Sequence, residues 1–166
     1  MNINYKSRVD KLVKKAKQKG LVKTYAQVCE TTFGKESMLS EEEVKYYAFS
    51  KKIVKYSIGD IVFVENYLYK SGEVGQRHIF VIVNEGEAVD INYFGFLLSS
   101  NIDKASYKYN EVLNKNSRNN LQKDSIVKCD DLIQVTQEEI KFKIGTVETE
   151  EIEKFIRLYE QYLESI

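Results

Sequence analysis

Residues 59–84 read GDIVFVENYLYKSGEVGQRHIFVIVN. Two apolar runs inside this stretch, Ile61 to Val64 and Ile79 to Val83, are short, rich in β-branched residues and bounded by Gly, Asp and Asn. That pattern belongs to strands rather than to helix segments. Neither run alternates with polar residues, so both are expected to be buried on both faces, in the middle of a sheet. The hydrophilic connection between them becomes a loop at the rim, and it delivers Arg77 and His78 to the start of the second run. His78 is the only histidine of the chain. Imidazole titrates near neutrality, so a histidine beside an arginine at a strand mouth reads either as a proton-transfer group next to a phosphate binder or as a hydrogen-bonded structural residue. Neighbours on a strand face opposite ways, so the two can serve one site only if the strand has not begun at Arg77 or is bulged there.

Working outward, 166 residues with 43% hydrophobic content suffice for one domain, or for one domain with a small helical appendage. No run of about 18 apolar residues and no secretory signal pattern is present, which points to a cytoplasmic protein without a membrane contact. Cys29 and Cys129 stand far apart without metal-ligand spacing, so reduced thiols are expected, and one histidine with two cysteines argues against zinc. No cofactor motif occurs. Residues 1–56 carry 13 Lys plus Arg and 6 Asp plus Glu, net +7, which leaves 12 and 19, net −7, for residues 57–166. A basic front on an acidic body implies either a nucleic-acid contact or an internal electrostatic clasp.

In the front segment Val9, Leu12, Val13 and Ala16 recur at helical spacing over residues 4–19, with lysines on the other faces and Gly20 as a stop. Thr24 with Gln27, and Ser40 with Glu43, form capping boxes for two further short helices. The turn between them is too long for a helix-turn-helix, and no basic recognition helix follows. Val9, Leu12 and Val13 with Val28, Phe33 and Tyr47 are expected to form a small helical cluster resting on the sheet, the lysines facing solvent where a nucleic-acid contact would be made.

Beyond the central pair, Val89, Ile91 and Tyr93 alternate with Asp90 and Asn92, which predicts a half-exposed strand interrupted by Gly95 and continued by Phe96, Leu97 and Leu98 into Ser99 and Ser100. Strand-end serines are commonly turn formers, and no G-x-S-x-G elbow surrounds these two. Residues 103–124 read as a long exposed loop with one short strand. Its Tyr107 and Tyr109 among lysines would suit base stacking beside phosphate contacts. In SIVKCDD, Lys128 and Asp130 fall on one face. Ile140, Phe142 and Ile144 alternate in a further strand ended by Gly145, and a helix capped at Thr149 presents Ile152, Phe155, Ile156, Tyr159, Tyr162, Leu163 and Ile166 on one side.

The order of these elements and the residues in them resemble the MazF/PemK family of toxin endoribonucleases, over roughly residues 57–166. GDIVFV is similar to the family's first strand, GEVGQRHIFVIVN to its Gly-x-Arg-Pro loop and strand, LLSS to its strand ending in paired hydroxyls, LQKDSIVKCDD to the Arg-Cys-Asp-Gln segment of Kid-type members, and KIGTVETEEIEKF to its Ile-Gly and C-terminal helix. The resemblance implies an α+β fold, a small antiparallel β-barrel of SH3-like type with a C-terminal helix, here preceded by an N-terminal helical extension over residues 1–56. It implies a sequence-specific, metal-independent cut in single-stranded RNA leaving 2′,3′-cyclic phosphate and 5′-hydroxyl ends, a cognate antitoxin, a homodimer and no cofactor.

Carried over, the resemblance puts the family's phosphate-binding arginine on Arg77, its strand-end hydroxyl on Ser99 and the Kid-type Arg and Asp on Lys128 and Asp130. With His78 added, the expected catalytic set is Arg77, His78, Ser99 and Asp130, His78 or Asp130 as base and His78 or Arg77 as acid, with Lys128, Ser100, Glu73, Tyr107 and Lys108 as substrate contacts. His78 stands where the family has proline, and Asp131 and Ile133 where its usual continuation has Gln and Arg. These departures leave two other readings, a binding module for protein or nucleic acid on the same fold and a gyrase-directed toxin.

Overall fold

The computed structural model describes residues 3–25, 55–65, 77–86 and 92–166. Along the chain these form α1 (Ile3–Gln18), β1 (Lys23–Thr24), β2 (Asp60–Glu65), β3 (Arg77–Glu85), β4 (Asn92–Ser99), β5 (Asn110–Leu113), β6 (Ser125–Lys128), β7 (Ile133–Thr136), β8 (Ile140–Thr146) and α2 (Thr149–Ser165). Short 3-10 turns lie at Ile102–Lys104 and Gln137–Glu139. The described strands make one sheet in the order β1-β7-β4-β3-β2-β8, with β6 also on β4 and β5 on β6. Among the described strands only the β1–β7 pairing is parallel. The α+β architecture is therefore the expected one, an antiparallel barrel-type sheet between a helical N-terminal segment and a C-terminal helix, and the described strand order is open, ending at β1 and β8.

The continuous apolar runs are explained by two cores, one on each face of the sheet. Ile61, Val81, Val83, Phe94, Phe96 and Leu98 face α1 and α2, which contribute Tyr5, Val9, Val13 and Ala16 from one helix and Ile152, Phe155, Ile156, Tyr159 and Leu163 from the other. Val62, Val64, Phe80, Ile82, Tyr93 and Leu97 turn to the second face, where they meet Tyr25, Tyr56, Ile133, Val135 and Ile140. A strand with a core on either side has no solvent-facing positions to mark with polar residues.

This two-sided burial also corrects the reading of β4. From Tyr93 to Leu98 every residue is buried, so the strand is central rather than half exposed. Gly95 does not interrupt it. The strand passes so close to β3 that a Cβ at Gly95 would stand 1.9 Å from the Val81 carbonyl oxygen. Likewise β8 runs through Gly145 to Thr146, and its Phe142 is not inward but 52% exposed, stacked on Phe63 at 4.8 Å. Bulges in the β2–β8 pairing break the simple alternation there. At the C-terminus Ile166 is exposed, and Glu148 rather than Thr149 is the residue preceding the first turn of α2.

α1 ends as its sequence requires. Gly20 takes φ +69°, and the amides of Gly20 and Leu21 close back onto the carbonyls of Lys17 and Ala16 at 3.0 and 2.9 Å. The helix is no separate appendage cluster, since Val9 and Val13 belong to the same core as α2 and the sheet. Val28, Phe33 and Tyr47, and the two helices expected from the capping boxes at Thr24 and Ser40, lie outside the described residues, apart from Thr24 and Tyr25 at the start of the first. The basic front does clasp the acidic body. Arg8 donates to Glu160 through Nε (2.6 Å) and Nη2 (2.7 Å) and to Glu153 through Nη1 (2.8 Å), and these bonds, Glu160 first, hold its guanidinium pKa above the ordinary value.

Candidate functional site

β3 begins at Arg77, and its pairing with β2 is regular from the first residue: Arg77 with Glu65, His78 with Val64, Ile79 with Phe63. The bulge or delayed start that would let Arg77 and His78 share a face is thus not present. His78 turns to the second core, its ring edge-on to the buried Tyr25 at 5.9 Å between centroids.

The sheet register assembles the other strand ends around it. Ile79 pairs with Leu98 and Leu98 with Val127, so Ser99 at the end of β4 runs on beside the His78 position, and Ser99 pairs with Ile126 of β6. Lys128 closes β6 on the same face as Ile126 by strand alternation. Burial first, and then the nearby Lys128 ammonium, push the His78 pKa below its ordinary 6.5. The imidazole is therefore neutral at pH 7, which suits it to accept a proton.

Ser99 is occupied as a turn former, its hydroxyl oxygen accepting from the Asn101 amide at 3.2 Å, and Ser100 is exposed beside it. Asp130 is half-buried after the turn at Cys129 and accepts a hydrogen bond from the Tyr107 hydroxyl at 3.1 Å. Its charge raises the Tyr107 pKa. Lys108 is exposed, its ammonium 5.1 Å from the centre of the Tyr109 ring. Tyr109 itself is not available for base stacking, because it is buried edge-on between Tyr107 and Tyr162. Tyr107, 49% exposed, keeps that capacity. Glu73 lies outside the described residues. Arg77 is placed by its backbone at the first position of β3. Cys129 is buried and free, and burial lifts its thiol pKa well above the usual range, so it is no nucleophile.

Three residues of this neighbourhood had no place in the expected site. Asp131 is half-buried, its pKa raised chiefly by burial and held down by Lys23, whose Nζ lies 3.3 Å from its carboxylate; Asp130 and Lys128 also act on it. Lys23 and Tyr25 arrive from the front segment, because β1 pairs in parallel with β7, Lys23 opposite Ile133 and Thr24 opposite Gln134. A contact between residues 108 positions apart leaves no local pattern. Among the described residues no group of three or more His, Cys, Asp or Glu could hold a metal, and no helix is long and apolar enough to cross a membrane.

Residues 57–158, more than half of the chain, match the family model described as PemK-like, MazF-like toxin of type II toxin-antitoxin system. No curated protein matches the chain. The matched segment takes in β2 through most of α2 and leaves out α1, β1 and Tyr25.

Proposed function

Because the chain belongs to the PemK-like, MazF-like toxins of type II toxin–antitoxin systems, we propose that it is the RNA-cleaving member of its toxin–antitoxin pair, a sequence-specific, metal-independent endoribonuclease of the cytoplasm. It acts on single-stranded RNA as a homodimer and leaves 2′,3′-cyclic phosphate and 5′-hydroxyl ends. Residues 57–166 form the catalytic domain, and residues 1–56 are an extension added to it.

The observation that carries this reading is the neutral imidazole of His78 at a strand mouth with the Lys128 ammonium on the same face. Cleavage by the ribose 2′-hydroxyl needs a base for that proton, cations for the charge on the five-coordinate phosphorus and a proton for the leaving 5′-oxygen. His78 takes the 2′-hydroxyl proton. Lys128 holds the reacting phosphate, stabilises its developing charge and protonates the leaving oxygen, while Arg77, on the other face of β3 from His78 by strand alternation, holds a neighbouring phosphate of the same strand. Asp130 fixes Tyr107, on which a base stacks, while Ser99, Ser100, Lys108 and Glu73 line the strand.

The test is incubation of the purified protein with mixed-sequence single-stranded RNA in EDTA, with Arg77→Ala and His78→Ala as controls. Fragments ending in a cyclic phosphate, absent with both variants, are expected. RNA that is bound but left intact would replace the nuclease by a binding module, and inhibited DNA supercoiling without RNA cleavage would replace it by a gyrase-directed toxin.

A further inference from the structure

We propose that Lys23, supplied by the front segment from outside the stretch that matches the family, is a substrate-positioning residue whose ammonium holds an RNA phosphate beside His78 and Lys128. The inference rests on the reading of that strand mouth as the RNA site.

Its backbone is fixed on both sides. Gly20 ends α1, the Lys23 amide donates to the Leu132 carbonyl at 3.3 Å, β1 docks in register on β7, and Tyr25 is fully buried against His78. What this anchoring leaves in solvent is the side chain, 54% exposed, with its ammonium 3.3 Å from Asp131. Lys23 and Lys128 both act on that one carboxylate. If Lys23 turns to a phosphate, Asp131 keeps the attraction of Lys128 and is not left as an uncompensated half-buried charge. Asp130 lies beside that carboxylate as well, so the lysines and aspartates balance in charge and what the site offers is exchange: the exposed Lys23 ammonium at 3.3 Å from Asp131 can pass to a polyanion crossing the mouth, since a lysine is a mobile point charge on a flexible stem and trades one oxyanion for another at little cost. The same anchoring explains why a two-residue strand is kept in the fold: it delivers a cation that β7, with Ile133 at the paired position, does not supply.

The experiment measures binding of a single-stranded RNA made uncleavable by 2′-O-methyl groups, across a series of salt concentrations, with the full-length chain. Lys23→Gln is expected to weaken binding about five- to tenfold and to flatten the slope of log K against log salt by about 0.7, the share of one phosphate contact on a single strand. Lys23→Arg should restore both. In cleavage, Lys23→Gln should raise KM and leave kcat nearly unchanged. Asp131→Asn, which releases the Lys23 ammonium, should bind RNA at least as tightly as the natural chain. A structural role for Lys23 would lower the melting temperature without moving the salt slope. An unchanged affinity and slope in Lys23→Gln, while Lys128→Ala weakens binding, would overturn the proposal and leave Lys23 as the partner of Asp131 alone. Unchanged affinity in Lys23→Gln, Lys128→Ala and Arg77→Ala together would overturn the RNA site itself.

Discussion

The two ends of β3 are built in opposite ways. At the Val83 end, direct hydrogen bonds and ion pairs fasten the helices to the strand: the Tyr5 hydroxyl donates to the Val83 carbonyl at 2.8 Å, Asn84 donates through its amide nitrogen to Asp10 at 3.1 Å, and Arg8 closes the same helix onto α2 through both Glu160 and Glu153. At the His78 end, an imidazole is kept neutral by burial and a nearby cation, and a half-buried carboxylate is shared by two lysines. Shifted titration alone does not separate the ends, because Arg8 is also raised by its bonds to Glu160 and Glu153 and Tyr5 by burial; at the Val83 end those shifts come from contacts that fasten helix to strand, whereas at the His78 end a neutral imidazole and a carboxylate under two cations lie at a strand mouth. The front segment serves both ends, and this separates its lysines. Those of α1 ride on a helix packed at the Val83 end against the first core, while His78 turns to the second core, five residues and roughly 17 Å away along the strand. The α1 lysines therefore stand away from the His78 end, to which the front segment contributes Lys23.

The sharpest way to break this contrast is His78→Ala. Loss of a general base lowers a rate by about 10²- to 10⁴-fold. The RNA cleavage rate should fall by that much while the melting temperature at pH 7 stays within a degree or two. A variant that melts early but still cleaves would make the His78 end structural like the other.

Gly95 ties the two ends together, because it lets β4 approach the middle of β3. Gly95→Ala must push the strands apart, and overpacking of this kind costs about 1–3 kcal/mol or more. Thermal melting should show the loss, and both the helix packing and the cleavage activity should suffer together. Arg8→Met is smaller and one-sided. It leaves Glu153 and Glu160 facing each other without their cation, at about 1–2 kcal/mol for a group one-third exposed. The melting temperature should drop by roughly 3–6 °C, less in high salt, with cleavage unchanged. Cleavage that fell in step would mean the ends are coupled.

How far the sequence reaches is visible in the same elements. β2 and β3 were legible because uninterrupted apolar runs of this length fit only a strand with a core on either side. α1 and α2 were legible from their spacing, and most of the buried residues of α2 follow from it. β7 was missed, although Ile133 and Val135 alternate with Gln134 and Thr136, because four residues directly after CDD look like the tail of a turn. β4 was taken as half exposed since Asp90 and Asn92 alternate with apolar residues ahead of its buried stretch. Tyr109 and Ile166 exchanged their expected environments for reasons held in other strands and helices. Of the candidate site, the positions at strand ends were legible, His78 at the mouth of β3, Ser99 closing β4 and Lys128 closing β6. The site was illegible where tertiary pairing brings in Asp131, Lys23 and Tyr25, for which no spacing exists to read.

The smallest effect sharpens the contrast through pH. Above pH 6.5 the His78 imidazole is neutral in the folded and the unfolded chain alike, and it contributes no pH dependence. As pH falls below 6.5 the unfolded chain takes up the proton first, because the folded-state pKa is depressed, so stability declines until pH passes the folded value. Asp131 has the opposite sign. Its folded pKa is raised above 3.8, so its contribution is fully present below 3.8 and is lost as pH rises through the folded value. The two therefore run in opposite senses, and of the two it is the His78 contribution that lowers stability as pH falls from 7 to 5.5. The melting temperature of the natural chain should fall by a degree or two over that interval, His78→Gln should remove the fall, and Asp131→Asn should leave it. Parallel curves for His78→Gln and the natural chain would mean that the folded imidazole takes its proton at the ordinary pH, and the His78 end of β3 would then be structural like the Val83 end.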